Sequence, residues 1–175
     1  MRFLALFVLA FLLLVVQGAV AVVFPLGAWA PNLLLPFVLY LGVSPDIPLV
    51  RGALLAFLAG YLLDIFSGFG LSLSAFVLLS TYLASRGSGL SLFLRGPFFQ
   101  IGLTFAIEIL AGGMTLALQA IFEPPPPFAA DTVPHTVRTL AAGAAITALV
   151  SPLLYAGMAR LDSALVRRRE EGGAT

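Results

Sequence analysis

The stretch Gly60-Tyr-Leu-Leu-Asp-Ile-Phe-Ser-Gly-Phe-Gly-Leu-Ser72 sets a carboxylate, Asp64, at the end of a long apolar run, just ahead of a Ser-Gly-x-Gly break. Counting back in steps of four from Asp64 gives Gly60, Ala56 and Gly52. On a helix these residues share one face, and small side chains at that spacing let a second helix approach closely. The run therefore reads as a helix with a packing groove that Asp64 terminates. The simplest expectation is that Asp64 braces its own Ser67–Gly68 turn. The backbone N–H groups at the start of the next helix are the alternative donors. Gly68 and Gly70 would let the turn itself be tight.

The rest of the chain says what surrounds this helix. The chain has 175 residues, 61% hydrophobic and 10% charged, with a mean hydropathy of +1.09. A soluble domain of this size needs a charged surface, and these residues cannot supply one. Six apolar segments are legible, at roughly 3–24, 31–44, 48–66, 71–85, 97–121 and 136–160. They are continuous rather than alternating, which argues against a β-barrel. The expectation is an all-α membrane protein, a compact bundle of about six transmembrane helices over residues 1–166, with a polar tail at 167–175. The second and fourth segments are short for a crossing of about 20 residues. Pro36 interrupts the second, which reads as a short, kinked span or as half of a hairpin with the third.

All nine basic residues are arginine. With six crossings, Arg2, Arg51, Arg86, Arg95, Arg160, Arg167, Arg168 and Arg169 fall on one side and Arg138 on the other. The positive-inside rule then puts both termini in the cytoplasm. A cleaved signal peptide ending near Ala19-Val20-Ala21 is the competing reading of the start, but the apolar run continues through Phe24. On the outer side, Phe122–His135 carries four consecutive prolines, which exclude a helix there and favour a stiff extended segment.

The carboxylates inside the apolar runs are the candidates for chemistry. Asp46 sits in a Ser-Pro-Asp-Ile-Pro turn near Arg51 and reads as structural. Glu108 lies mid-way along the fifth segment, where an ionisable group is costly and has to face protein or water. Thr104, Gly112 and Thr115 lie near it at helical spacing, and the sixth segment repeats the pattern with Thr139, Gly143, Thr147 and Ser151 ahead of Pro152. The readings open for Glu108 are a proton relay, a ligand contact, a polar lock on a partner helix, and a protonated or hydrogen-bonded core glutamate with a purely structural role. Phosphate-binding loops, nucleophile elbows and Cys/His clusters are absent from the sequence, and there is no cysteine. No catalytic residue, metal or cofactor is expected, and no nucleic-acid partner. The candidate partner-binding or helix-packing residues are Gly52, Ala56, Gly60, Asp64, Gly68, Gly70, Thr104, Glu108 and Gly112.

Two passages resemble the MreD family of bacterial rod shape-determining membrane proteins. One is Ala30–Val43, with Pro31-Asn32-Leu33 opening the second segment; the other is Arg51–Ser85, with Gly60, Asp64, Ser67, Gly68 and Gly70. The resemblance covers about residues 28–85. It implies a non-enzymatic scaffold of the cell-elongation complex in the bacterial inner membrane. The implied partners are MreC directly, and MreB, RodA and a class B penicillin-binding transpeptidase directly or through it, together with membrane lipid. It also implies a fold similar to the substrate-binding subunits of energy-coupling-factor transporters. A vitamin- or metal-capture subunit of that kind is the alternative function, with Trp29, Tyr61, Asp64 and Glu123 as possible pocket residues. A proton-coupled transporter using Glu108 and Asp64 is a third possibility, disfavoured because no internal repeat is visible.

Overall fold

A computed structural model describes residues 2–23, 31–67, 73–88, 96–122 and 133–172. Gly68, Gly70, Trp29, Glu123 and the tetraproline run lie outside these residues. Among the described residues every regular element is a helix: α1 Arg2–Val23, α2 Leu34–Val43, α3 Leu49–Ser67, α4 Leu73–Gly87, α5 Pro97–Phe122 and α6 Val133–Gly172. Four of them are long and apolar enough to cross a membrane: Phe3–Val23 in α1, Leu49–Ser67 in α3, Pro97–Phe122 in α5 and Val133–Ser163 in α6. α2 and α4 have 10 and 15 residues, about 15 and 22 Å of rise, short of the roughly 30 Å hydrocarbon core. The bundle's outer surface carries many large apolar side chains, among them Leu4, Leu12, Val22, Leu110, Leu149 and Leu153. A surface of that kind suits lipid and is compatible with a multi-pass membrane protein.

α2 forms the centre. Leu34, Leu35, Phe37, Val38, Leu39 and Leu41 are 0% exposed, so this helix is apolar on every face, as a helix enclosed by others must be. Pro36 lies at its start and not in its interior. It occupies the third helical position, where a backbone N–H would have no partner within the helix, so its missing donor leaves one fewer group to satisfy. The kink expected from the sequence assumed a longer helix, with Pro36 in its interior.

The groove formed by Gly52, Ala56 and Gly60 is filled by α4. A Cβ at Gly60 would lie 2.7 Å from both the Ala75 N and the Ser74 O, so here the two backbones are in contact. A Cβ at Gly52 would strike the ring of Tyr82, which is fully buried and donates its hydroxyl to the Leu49 carbonyl at 3.1 Å. The stripe thus serves packing within the chain. At the same end of the bundle Arg86 donates to the Ser44 carbonyl, and Phe3, Asp46 and Arg51 line one small cavity of about 280 Å³. The start of α1, the α2–α3 turn and the C terminus of α4 therefore share an end.

α6 carries Pro152 within its length. A proline there leaves the carbonyl four residues back, that of Ala148, without its usual donor. Ser151 supplies one: its hydroxyl donates to the Ala148 oxygen at 2.8 Å. Beyond the expected end of the sixth segment the chain stays helical to Gly172.

The seam gives a test. At Gly60 a methyl group meets backbone, which cannot swing aside; at Gly112 it meets the end of the Leu140 side chain, which can. Gly60→Ala is expected to cost about 1–3 kcal/mol by overpacking. Gly112→Ala is expected to cost less than about 1 kcal/mol, because Leu140 changes rotamer. Thermal unfolding of the two variants in the same detergent compares them.

Candidate functional site

Asp64 is 2% exposed and takes its hydrogen bonds from the next helix. Its Oδ1 accepts from Ser74 N and its Oδ2 from Ala75 N, each at 3.1 Å. These are the second and third residues of α4, whose first turn has no acidic residue of its own. The position an N-cap side chain ordinarily takes is filled from α3, ten residues earlier, and the carboxylate faces the positive end of the α4 dipole. Of the two sets of donors expected for Asp64, the structure shows those that open the next helix, while Gly68 of its own turn lies outside the described residues.

The start of α2 is held in the same way by other helices. Asn32 N donates to Thr147 Oγ1 on α6 at 2.9 Å, and Leu33 N donates to Gln17 Oε1 on α1 at 2.9 Å. The Asn32 side chain reaches a third helix, its Nδ2 donating to Glu108 Oε1 on α5 at 3.3 Å. Glu108 thus joins α5 to the segment that opens α2. One turn away on α5, Thr104 is fully buried and shares a hydrogen bond with the Tyr155 hydroxyl of α6 at 3.1 Å. Gly112 receives Leu140 of α6. The stripe Thr104–Glu108–Gly112 therefore lies along the meeting of α5 with α6 and the start of α2. Asp64 and Glu108 have separate hydrogen-bond partners and form no shared dyad.

This junction is one wall of a cavity of about 480 Å³. Its lining includes Gln17, Asn32, Glu108, Thr115, Thr136 and Thr139, with Leu35, Leu63, Val77 and Leu140 as apolar walls. Of the possible pocket residues Trp29, Tyr61, Asp64 and Glu123, the first and last lie outside the described residues. Tyr61 stacks on Phe57 at an exposed position, and neither it nor Asp64 lines the cavity. Among the described residues no group of three or more metal-ligating side chains comes together.

Gln17, Tyr82, Thr147 and Tyr155 hold the structure together. The sequence offered a partial signal for two of them: Gln17 is the one amide in the first apolar run, and Thr147 belongs to the hydroxyl stripe of the sixth. Comparison with protein-family models, with curated proteins and with solved structures gives no match.

Removing the Asp64 carboxylate leaves one buried and one part-buried N–H group without that partner. Asp64→Ala is expected to destabilise by about 2–4 kcal/mol, at roughly 1–3 for each stranded donor less what relaxation recovers. Asp64→Asn, which keeps one acceptor, should lose about half as much. Hydrogen exchange localises the effect: protection of the Ser74 and Ala75 amides should fall first. At the other junction, Thr147→Val strands Asn32 N–H and is expected to cost about 1–3 kcal/mol by thermal unfolding.

Proposed function

We propose that the chain is a non-enzymatic membrane scaffold of the MreD type. It sits in the bacterial inner membrane with six crossings and both termini cytoplasmic. It binds the membrane-spanning helix of MreC and so helps couple cytoplasmic MreB to RodA and a class B penicillin-binding transpeptidase outside. The observation that carries this reading is the work done by the residues of the resemblance. Asn32 ties the start of α2 to α5 and α6, Gly60 lets α4 lie against α3, and Asp64 caps α4. All three fix helix positions, as a scaffold requires. The arginine pattern supports the orientation: Arg51 and Arg86 belong to the end at which α1 begins.

One part of the reading is sharpened. The Gly52–Ala56–Gly60 stripe is already occupied by α4, so a partner's helix has to meet another face. Loss of partner binding on changing this stripe should therefore follow loss of bundle stability.

Affinity purification of the full chain in mild detergent tests the proposal. Stoichiometric recovery of MreC supports it. Recovery of a coupling ATPase pair without MreC would replace it with the transporter-subunit alternative, which the 480 Å³ cavity favours. Gly60→Leu should reduce MreC recovery and thermal stability together. Reduced recovery at unchanged stability would place the partner on the stripe itself.

A further inference from the structure

Among the described residues most buried polar groups have a partner, and two that lack one belong to a single hydrogen-bonded pair. Among the described residues, Glu108 Oε2 and Asn32 Oδ1 are buried side-chain oxygens without a hydrogen-bond partner, and they belong to neighbours that line the 480 Å³ cavity. Glu108 is only 9% exposed. Asn32 has given its Nδ2 to Glu108 Oε1, so the oxygen it has left can only accept.

Two more of the polar walls, Thr115 and Thr139, also offer acceptors. The Thr115 hydroxyl donates to the Ala111 carbonyl at 3.0 Å, and that of Thr139 donates to the Thr136 carbonyl at 2.9 Å. A hydroxyl has one proton, so each of these oxygens has only acceptor capacity to offer the cavity. Among the described residues lining it there is no lysine, arginine or histidine. The cavity therefore carries one carboxyl group and a set of acceptor oxygens beside the neutral Gln17 amide and the Ser67, Ser74 and Thr136 hydroxyls. Its volume is within the range of sites for small organic ligands.

We propose that this cavity binds a small organic cation bearing an ammonium or guanidinium group. The nitrogen donates to Glu108 and Asn32, which reach it by a small rotation of their side chains, and to the hydroxyl oxygens of Thr115 and Thr139. The hydrocarbon part lies against Leu35, Leu63, Val77 and Leu140. A bare metal ion fits less well, because it needs several oxygens converging at one point and the acceptors here are spread over α5, α6 and the segment that opens α2, around a space far larger than an ion. The proposal holds whichever assembly the chain joins.

Full-length protein in mild detergent is titrated with agmatine and with ethylammonium chloride, and binding is followed by thermal unfolding and equilibrium dialysis. Pentanol and potassium chloride at matched ionic strength are the controls. The expected result is saturable binding of at least one of the two cations, weakened at least tenfold in Glu108→Gln. That variant keeps the side-chain shape and an oxygen for Asn32, whereas Gly113→Ala, which adds a methyl group in open space, binds as the parent does. If Glu108→Gln does not fold, Thr139→Val takes its place, with a severalfold loss expected. The proposal is overturned by no saturable binding of either cation, by equal stabilisation from pentanol or potassium, or by unchanged binding in the folded variant.

Discussion

The structure depends on a constraint felt most strongly at helix ends. Inside a helix the backbone satisfies itself, but the first N–H groups and the last carbonyls do not, and in an apolar surrounding water cannot stand in. Here two helices are too short to carry both ends to a membrane surface. Each start is met by side chains from elsewhere in the bundle. Asp64 of α3 caps α4; Gln17 of α1 and Thr147 of α6 receive the N–H groups that open α2, and Pro36 removes a donor from its first turn. The C terminus of α2 closes with Ser44 N and Ser44 Oγ on the Tyr40 carbonyl, and Arg86 takes up the Ser44 carbonyl. Because the partners belong to other helices, satisfying the ends also fixes how the helices sit relative to one another.

Close packing works on the same elements. Between helices in lipid there is no hydrophobic driving force of the kind that folds soluble proteins, so contact distance matters more. The backbone contact at Gly60 brings α4 near enough for its first N–H groups to reach Asp64 one turn further along α3. Tyr82 at the far end of the seam fills the space above Gly52 and bonds the start of α3. The seam and the cap are thus coupled: a side chain at Gly60 that lifts α4 would lengthen the two hydrogen bonds to Asp64 as well.

The all-α character and the long apolar helices are legible in the sequence because a lipid-facing helix needs a continuous apolar run with few charges. The face formed by Gly52, Ala56 and Gly60 is legible too, because its spacing matches the helical period. What fills that face is not. A small-residue stripe implies a close neighbour without naming it, and Tyr82 and Ala75 meet it only through the fold. The partner of Asp64 is ambiguous for a related reason, since its own turn and the next helix both offer N–H groups within a few residues. Gln17 and Thr147 are harder still. Uncharged polar side chains have many possible partners, and these bond the segment opening α2 across 16 and 115 residues of chain.

Against this thorough pairing, the pair Glu108–Asn32 is an exception that stability alone does not explain. A single hydrogen bond at 3.3 Å joins them, while each retains a buried oxygen with no partner at a cost of about 1–3 kcal/mol. An apolar pair of similar volume would avoid that penalty, since replacing an imperfectly satisfied buried polar pair by well-packed apolar groups is often neutral or favourable. Elsewhere the same fold finds a donor or an acceptor for groups no easier to satisfy, as Ser151 does for the carbonyl that Pro152 leaves open. The cavity beside Glu108 is also lined by residues with acceptors to spare. An exception at the wall of one cavity, in a bundle whose described polar groups are otherwise so widely paired, fits a carboxyl group held ready for a donor that comes from outside the chain.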